Sequence, residues 1–250
     1  MSPRTKKMLL GLLGAAVLLG VAEVIGRLGL AGRAWPAPIE AFATVLQTEL
    51  SRSLLLRALG ATLVSAGTGL VLGSLVGIAV GFLGFLIPAL RAGLDQTASI
   101  LNTVPLIALA PLLIALVGPQ GMATLTASLG AGFAMFVATA SGLVSTPPAL
   151  ADLFSVAGAS RPQRILRLSL PSAVPSLLNG LTLAASGAVL GAVLGEWFGA
   201  PVGLGVLMIS SMQNFQVELL FVVALTAALV SLAAFYSMVA LQAVIGKRFV

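Results

Sequence analysis

Two long stretches of this 250-residue chain carry no charged side chain, and they constrain the fold more than any other feature. Residues 96–151 contain no Asp, Glu, Lys or Arg, and the same holds for residues 168–195. A helix of about 20 apolar residues is long enough to cross the hydrocarbon core of a bilayer. Because that core offers backbone groups no hydrogen-bond partner, spanning segments of this kind are helical. The two stretches therefore predict an all-α integral membrane protein.

Composition supports this class and excludes others. The chain is 59% hydrophobic and 8% charged, whereas roughly a quarter of the residues in a soluble domain are charged. It has no Cys and no His, which excludes disulfides and removes the commonest metal ligand. We expect no bound metal. The formal net charge of +6 is explained by basic residues that set membrane topology rather than by a nucleic-acid partner.

Polar or Gly/Pro-rich joints divide the chain into six apolar runs. The predicted spans cover residues 8–30, about 58–90, 98–117, 121–144, about 174–194 and 219–245. We therefore predict one domain over residues 1–250, a bundle of six transmembrane helices. An alternative is a cleaved signal peptide over residues 1–22, with Lys6 and Lys7 before its apolar part. The apolar run continues to Leu30, which favours a retained span.

A short polar segment, ADLFSVAGASRPQRILRLSLP at residues 151–171, separates the two uncharged stretches. Its basic residues place it in the cytoplasm, where Lys and Arg are retained. Gly158 suits a sharp turn between two short helices, and Pro147 and Pro148 suit the start of the first. Two interpretations are open: a solvated turn with Arg near lipid phosphates, or a docking element whose Phe154 and Val156 contact a soluble partner.

The same segment resembles the cytoplasmic loop of the permease subunits of bacterial ATP-binding-cassette (ABC) importers. That loop reads EAA, three residues, Gly, nine residues, then I-x-L-P. Here Asp152 stands six residues before Gly158, where the family has Glu, and nine residues separate Gly158 from the sequence Leu168-Ser-Leu-Pro171. Leu153 and Phe154 replace the two Ala of the pattern, and Leu168 replaces Ile.

Three further stretches resemble one branch of this family. They are WPAPIEAF at residues 35–42, PLIALAPLLIALVG at 105–118 and GEWFGAPVGLGVLM at 195–208. The branch imports nitrate, aliphatic sulfonates, taurine and pyrimidine-type vitamin precursors, including thiamine or riboflavin precursors. The resemblance implies a permease in the bacterial inner membrane that works as a homodimer with two ATPase subunits and a periplasmic binding protein.

The resemblance also implies that this chain is not itself an enzyme. Its only Lys residues are Lys6, Lys7 and Lys247, and none stands in a phosphate-binding GK[ST] loop. ATP and Mg²⁺ are therefore expected on the partner ATPase, with no cofactor on this chain. ATP-driven closure of the ATPases would push a coupling loop at residues 145–173 and rock the two bundles between inward and outward openings.

By the same resemblance, the ATPase-coupling residues are those that match or flank the loop pattern: Asp152, Leu153, Phe154, Gly158, Ala159, Ser160, Arg161, Arg164, Leu168, Leu170 and Pro171.

Polar residues in apolar surroundings are the candidates for the translocation path. Asn102 and Thr103 lie beside Pro105, which is expected to kink the third span; they either bond neighbouring helices or line the path. Glu196 and Trp197 are predicted at the outer end of the fifth span. They either form an interfacial pair or gate the outer mouth, followed by a short re-entrant helix over residues 203–214.

Glycine recurs every fourth residue in two places, which puts small residues along one helix face. The first stripe is Gly69, Gly73, Gly77 and Gly81, and the second is Gly187, Gly191, Gly195 and Gly199. Such stripes let two helix backbones approach closely. They serve either packing within the chain, or a dimer interface or the transport path.

Two functions of other classes are less compatible with the residues. An ion-coupled secondary transporter needs acidic residues or His within the membrane, and the predicted spans three to six contain none. A purely structural anchor would not need the two prolines of the third span, Pro105 and Pro111, or the polar residues beside them. The substrate stays open between anions and pyrimidines, because no Lys or Arg lies deep in any predicted span.

The distribution of charge predicts that both termini are cytoplasmic. A green fluorescent protein fused after Val250 should fluoresce, whereas alkaline phosphatase, which is active only in the periplasm, should be inactive there. The matched control is a fusion after Gln216, in the predicted outer joint, where the two reporters should give the opposite result. Active phosphatase at Val250 would contradict this topology.

Overall fold

The computed structural model describes residues 3–32 and 35–246, and every regular element in these ranges is helical. The helices are α1 Pro3–Arg27, α2 Pro38–Gln47, α3 Glu49–Leu86, α4 Pro88–Thr103, α5 Leu106–Gly142, α6 Pro148–Val156, α7 Arg161–Arg164, α8 Leu170–Glu196, α9 Leu204–Gln213 and α10 Val217–Ile245. A π-helical turn, Ile165–Ser169, joins α7 to α8.

Among the described residues, four helical stretches are long and apolar enough to cross a membrane. They are Glu49–Leu86, Ala108–Gly142, Arg161–Glu196 and Val217–Ile245. The all-α membrane class predicted from the uncharged stretches is confirmed.

The centre of the bundle is α5, which packs against α3 on one face and α8 on another. Gly73 and Gly77 of α3 face backbone atoms of Ser128 and Gly132, so that a Cβ at either position would collide with α5. Gly191 of α8 faces the backbone of Thr126 in the same way. The stripes in α3 and α8 therefore serve packing within the chain, because α5 occupies both.

Small side chains fill this core, whereas large apolar side chains usually fill the core of a soluble protein. Ala127, Ala131 and Ala184 are fully buried at the contacts of α5 with its neighbours. The Thr126 hydroxyl lies 2.7 Å from the Gly191 carbonyl across the α5–α8 contact and 2.8 Å from the Met122 carbonyl of its own helix, and these two acceptors share its single hydrogen. Close backbone approach and interhelical hydrogen bonds replace the hydrophobic driving force that lipid does not supply.

The third predicted span differs from the structure at two prolines. The kink expected at Pro105 is a complete break, because α4 ends at Thr103 and Val104 is extended, with ψ 124°. Proline lacks an N–H and disfavours the helical conformation in the residue before it, so Pro105 sets this break. The joint expected over residues 91–96 lies inside α4, and the chain instead breaks before Pro88.

The joint predicted at residues 118–121 coincides with a turn. Gly118 has φ 71° and ψ 169°, a single non-helical residue inside α5. Leu106 and Leu129, 23 residues apart, line the same cavity, although a straight helix would separate them by about 35 Å. The chain therefore folds back at Gly118. Other differences are that α3 begins at Glu49 rather than near residue 58, and that α2 precedes it.

We expect Gly73→Ala to destabilise the bundle by about 1–3 kcal/mol, because its Cβ would push against α5 backbone that cannot move aside. The matched control is Gly67→Ala on the same helix, where no atom lies within 4 Å of a built Cβ. The control should be neutral or slightly stabilising, because alanine favours helix over glycine. Thermal unfolding of the two purified variants in detergent measures the difference, and equal melting temperatures would contradict the packing described.

Candidate functional site

The segment between α5 and α8 forms two short helices separated at Gly158. Pro147 and Pro148 occupy the N-cap and first position of α6, as the sequence predicts. Gly158 has φ +68° and has no atom within 4 Å of a built Cβ, so that its backbone conformation rather than space requires glycine. The Ser160 N–H donates to the Gln163 side chain at 2.9 Å at the start of α7.

Several coupling-loop side chains are exposed, including apolar ones. Val156 is 88% exposed and Leu153 is 60% exposed, while Phe154 is only partly exposed. Of the other predicted coupling residues, those exposed are Asp152, Gly158, Ser160, Arg161, Arg164 and Pro171, and those partly buried are Ala159 and Leu170. Leu168 is 5% exposed and packs into the bundle from the π-helical turn.

Arg161 ties this loop to the end of α3. Its Nη2 atom donates to the carbonyl of Leu86 at 2.7 Å, and Leu86 is the last residue of α3. The two residues also line a cavity of about 350 Å³ with Pro162, Ile165 and Leu166. Sequence reasoning missed this contact, because no local pattern pairs residues 75 positions apart.

A larger cavity of about 570 Å³ lies between α3, α4 and the two arms of α5. Its polar lining residues are Thr97, Asn102 and Ser128, and none of the described residues that line it is charged. Of the predicted path residues, only Asn102 lines this cavity. The Thr103 hydroxyl donates to the Ile100 carbonyl of its own helix at 2.9 Å, and Pro105 is exposed at the break between α4 and α5.

Glu196 is not an exposed interfacial residue, as one interpretation held; it is 2% exposed. Its Oε1 accepts from the Thr62 hydroxyl at 2.7 Å, and its Oε2 accepts from the Gly205 N–H at 2.8 Å. Thr62 Oγ1 in turn accepts from the Leu204 N–H at 2.9 Å. Glu196 and Thr62 thus bond the first two amides of α9, groups that have no partner within the helix.

Glycine makes room for this cluster. A Cβ at Gly203 would collide with the Glu196 carboxyl group, and one at Gly205 would collide with the Val193 carbonyl. Trp197, next in sequence, is 42% exposed. The short helix predicted after Trp197 is present as α9. Thr62 was not predicted as part of this cluster. The sequence does carry one sign of the cluster, because Gly203 and Gly205 are residues that let a backbone approach Glu196 closely.

A second carboxylate plays the same role for α2. Glu23 Oε2 accepts from the Ile39 N–H at 2.9 Å, near the start of α2, and Glu23 Oε1 bonds Arg27 Nε at 2.7 Å. Trp35 adds a hydrogen bond to the Ala22 carbonyl at 3.1 Å and packs edge-on against Phe221 of α10. Each of these two short helices is therefore bonded at its N-terminus by a glutamate from a longer helix.

Comparison with known proteins gives matches to transport permeases. The family described as "Binding-protein-dependent transport system inner membrane component" matches residues 69–250. A probable ABC transporter permease protein of Haemophilus influenzae is 34% identical over 178 residues, which cover 70% of this chain and 72% of that protein. The formylaminopyrimidine transport permease protein ThiX of Halalkalibacterium halodurans is 33% identical over 182 residues, 72% of each chain.

A putative aliphatic sulfonates transport permease protein, SsuC of Bacillus subtilis, is 30% identical over 213 residues, 84% of this chain and 77% of that one. Among solved structures, a chain of the inward-facing MetNI methionine ABC transporter superposes with a TM-score of 0.62 at 22% identity, covering 77% of this chain and 98% of that one. A chain of a bacterial alginate ABC transporter gives a TM-score of 0.55 at 17% identity, covering 96% and 94%.

The two structural matches show a shared fold, whereas the family match and the sequence relatives show descent. The chain therefore belongs to the family of binding-protein-dependent transport system inner membrane components, the multi-pass permeases of ABC transporters.

Proposed function

We propose that this chain is the transmembrane permease subunit of an ATP-driven importer, assembled as a homodimer with two ATPase subunits and a periplasmic binding protein. The observation that carries this proposal is the exposed loop of α6, Gly158 and α7. Leu153 and Val156 present apolar surface on α6, where Asp152 is also exposed, and Arg164 of α7 is exposed in the same loop. Apolar side chains exposed in a polar loop mark a contact surface for a soluble partner.

The fold is compatible with six crossings and with both termini in the cytoplasm. The crossings would be α1, α3, α4 with the first arm of α5, the second arm of α5, α8 and α10. With alternating direction, this order puts residues 145–173 on the same side as both termini. Such an arrangement agrees with the concentration of Arg in that loop.

The translocation path would pass the cavity that Asn102 lines. Its lateral opening between α3, α4 and α5 would be completed by the second copy of the permease. Thr103 and Pro105 do not line this cavity themselves, but they follow Asn102 closely in the sequence. Glu196 and Trp197 stay predictions for the other end of the path, where the buried Glu196 would act through α9 rather than by touching substrate.

The substrate is proposed to be a small nutrient delivered by the binding protein. Nitrate, a sulfonate or taurine is one class, supported by the similarity to an aliphatic sulfonate permease. A pyrimidine or thiamine-type precursor is the second class. It is supported by the similarity to a formylaminopyrimidine permease and by the uncharged character of the described residues that line the cavity. Binding of taurine, nitrate and formylaminopyrimidine to the purified cognate binding protein would separate these classes.

Gly158→Val should abolish transport while the chain still inserts in the membrane. A β-branched residue at φ +68° costs about 1–3 kcal/mol and would favour a different turn between α6 and α7. Uptake by the complete transporter and co-purification of the ATPase measure the effect. The matched control is Gly93→Val, another glycine with no atom within 4 Å of a built Cβ but in ordinary helical conformation.

The control should keep most of its uptake and retain the ATPase. Normal uptake and normal ATPase association in Gly158→Val would remove the loop from the mechanism. Failure of the ATPase to co-purify with the unaltered chain would contradict the proposed importer and favour an ion-coupled transporter.

Asn102→Leu should lower uptake roughly 2- to 10-fold, because it removes a hydrogen-bonding group from the cavity while keeping the side-chain size. The control is Ser99→Ala on α4, whose hydroxyl bonds the Asp95 carbonyl and does not line the cavity. Initial uptake rates of the three candidate substrates, at equal amounts of assembled transporter, give the measurement. Unchanged rates and selectivity in Asn102→Leu would place the path elsewhere.

A further inference from the structure

A cavity of about 350 Å³ lies between the last residue of α3 and one face of the coupling loop. It is lined by Leu86, Arg161, Pro162, Ile165 and Leu166. The four loop residues form two pairs with a spacing of four, which brings side chains onto one side of a helix. The lining is therefore apolar except for one basic group, and none of these described residues is acidic.

The guanidinium of Arg161 keeps most of its hydrogen-bonding capacity for a ligand. Arginine carries five N–H donors, and within the described chain one of them is used, by Nη2 toward the Leu86 carbonyl at 2.7 Å. The ion pairs found in the described residues are Arg27–Glu23, Arg52–Glu49 and Arg91–Asp95. Arg161 thus has no carboxylate partner within residues 3–32 and 35–246, and its bond to Leu86 fixes the guanidinium beside the cavity.

The cavity lies where the apolar part of the bundle ends. Residues 58–86 of α3 contain no charged residue, and Leu86 is the last residue of that spanning helix. The spanning stretch that contains α8 begins at Arg161. Long basic side chains near the ends of spanning helices reach the interface where the lipid headgroups lie. The bond to α3 therefore holds the Arg161 guanidinium at headgroup depth.

Exposed apolar side chains adjoin this basic group. Leu166 is 65% exposed, and Ile87, which follows Leu86 in the chain, is 44% exposed. A basic group beside exposed apolar surface matches an anionic phospholipid, which carries a phosphate and acyl chains in one molecule. A free phosphate would use Arg161 alone and leave the apolar lining without a partner.

We propose that this cavity binds one anionic phospholipid, whose phosphate accepts hydrogen bonds from Arg161 and whose acyl chain lies along Leu166. Arginine presents parallel N–H groups that suit phosphate oxygens, and basic pockets between spanning helices bind anionic headgroups. The coupling loop then has two contact surfaces, α6 for the ATPase and the cavity side of α7 for lipid. The inference goes beyond the proposed function, because lipid binding requires neither the ATPase nor transport.

The test measures the lipid affinity of the full-length chain, purified in detergent and stripped of lipid. Native mass spectrometry counts the lipids bound to each copy as phosphatidylglycerol is added in about 0.15 M ammonium acetate, where exposed charges are screened beyond about 8 Å. We expect the first phosphatidylglycerol to bind about 5-fold or more tightly than phosphatidylcholine with the same acyl chains, because a basic residue near the surface favours an anionic lipid by about that factor.

Glycerol 3-phosphate, the soluble headgroup without acyl chains, should not displace the bound lipid. Displacement by it would assign the cavity to a free phosphate and overturn the inference. Equal affinities for phosphatidylglycerol and phosphatidylcholine would overturn it as well.

Variants locate the site. Arg161→Gln should weaken phosphatidylglycerol binding about 10-fold, because it removes charge-assisted hydrogen bonds to phosphate. Arg161→Lys should recover part of the affinity, because lysine keeps the charge and can donate to the Leu86 carbonyl. The matched control is Arg167→Gln, which removes the same charge from an exposed position of the same loop that does not line the cavity. The control should change the affinity by no more than about 2-fold.

Leu166→Asn tests the apolar side of the cavity and leaves the bond between Arg161 and Leu86 in place. It should weaken binding roughly 3-fold or more, because it removes apolar contact with the acyl chain. Its control is Leu153→Asn, an exposed apolar residue of α6, which should keep the affinity. If Arg161→Gln does not fold, Leu166→Asn still decides the test. Unchanged affinity in either cavity variant would overturn the inference.

Two measurements separate lipid from the ATPase as the partner of Arg161. The complete transporter should bind phosphatidylglycerol as tightly as the chain alone, because α6 rather than this cavity meets the ATPase. Loss of lipid binding in the assembled complex would overturn the inference, as would loss of the ATPase from Arg161→Gln with lipid affinity unchanged. Failure of the ATPase to co-purify with the unaltered chain would contradict the proposed importer but not this inference, which the measurements on the chain alone decide.

Discussion

The contact of α5 with glycine faces on both α3 and α8 is the constraint on which the rest of the structure depends. Lipid solvates apolar side chains as well as a protein core does, so helices gain little by burying them. Gly73 and Gly191 instead allow backbone-to-backbone contact, and the Thr126 hydroxyl adds a bond across it. This central layer positions the Asn102 cavity on one side and the Glu196 cluster against Thr62 of α3.

The features of the fold that could be predicted from the sequence are those that depend on neighbouring residues. The uncharged stretches predicted the helical membrane class, and Gly158 predicted the turn in the loop, because each feature is determined within a short segment of the chain. The helix breaks before Pro88 and Pro105 do not coincide with the predicted joints, because proline ends a helix without any change in the hydropathy of the sequence. Thr62 could not be found, because it meets Glu196 across 134 positions of the chain.

The two buried or partly buried glutamates show how short helices are fixed in this fold. A helix of ten residues is marginal by itself, and both α2 and α9 have that length. Glu23 and Glu196 each bond an amide in the first turn of one of them. The longer helices thus determine where the short ones begin. Residues that the sequence presents as isolated charges act as attachment points between elements.

The π-helical turn at Ile165–Ser169 has a consequence for how the coupling loop is aimed. Each residue of an α-helix rotates the chain by about 100°, and a π-helical turn contains one residue more than an α-helical turn. The turn therefore determines how far α7 is rotated about the helix axis relative to α8. As a result, Leu168 faces inward while Arg164 and Arg167 stay exposed. A single-residue deletion here would leave both helices intact and rotate the exposed surface of α6 and α7 relative to the rest of the bundle.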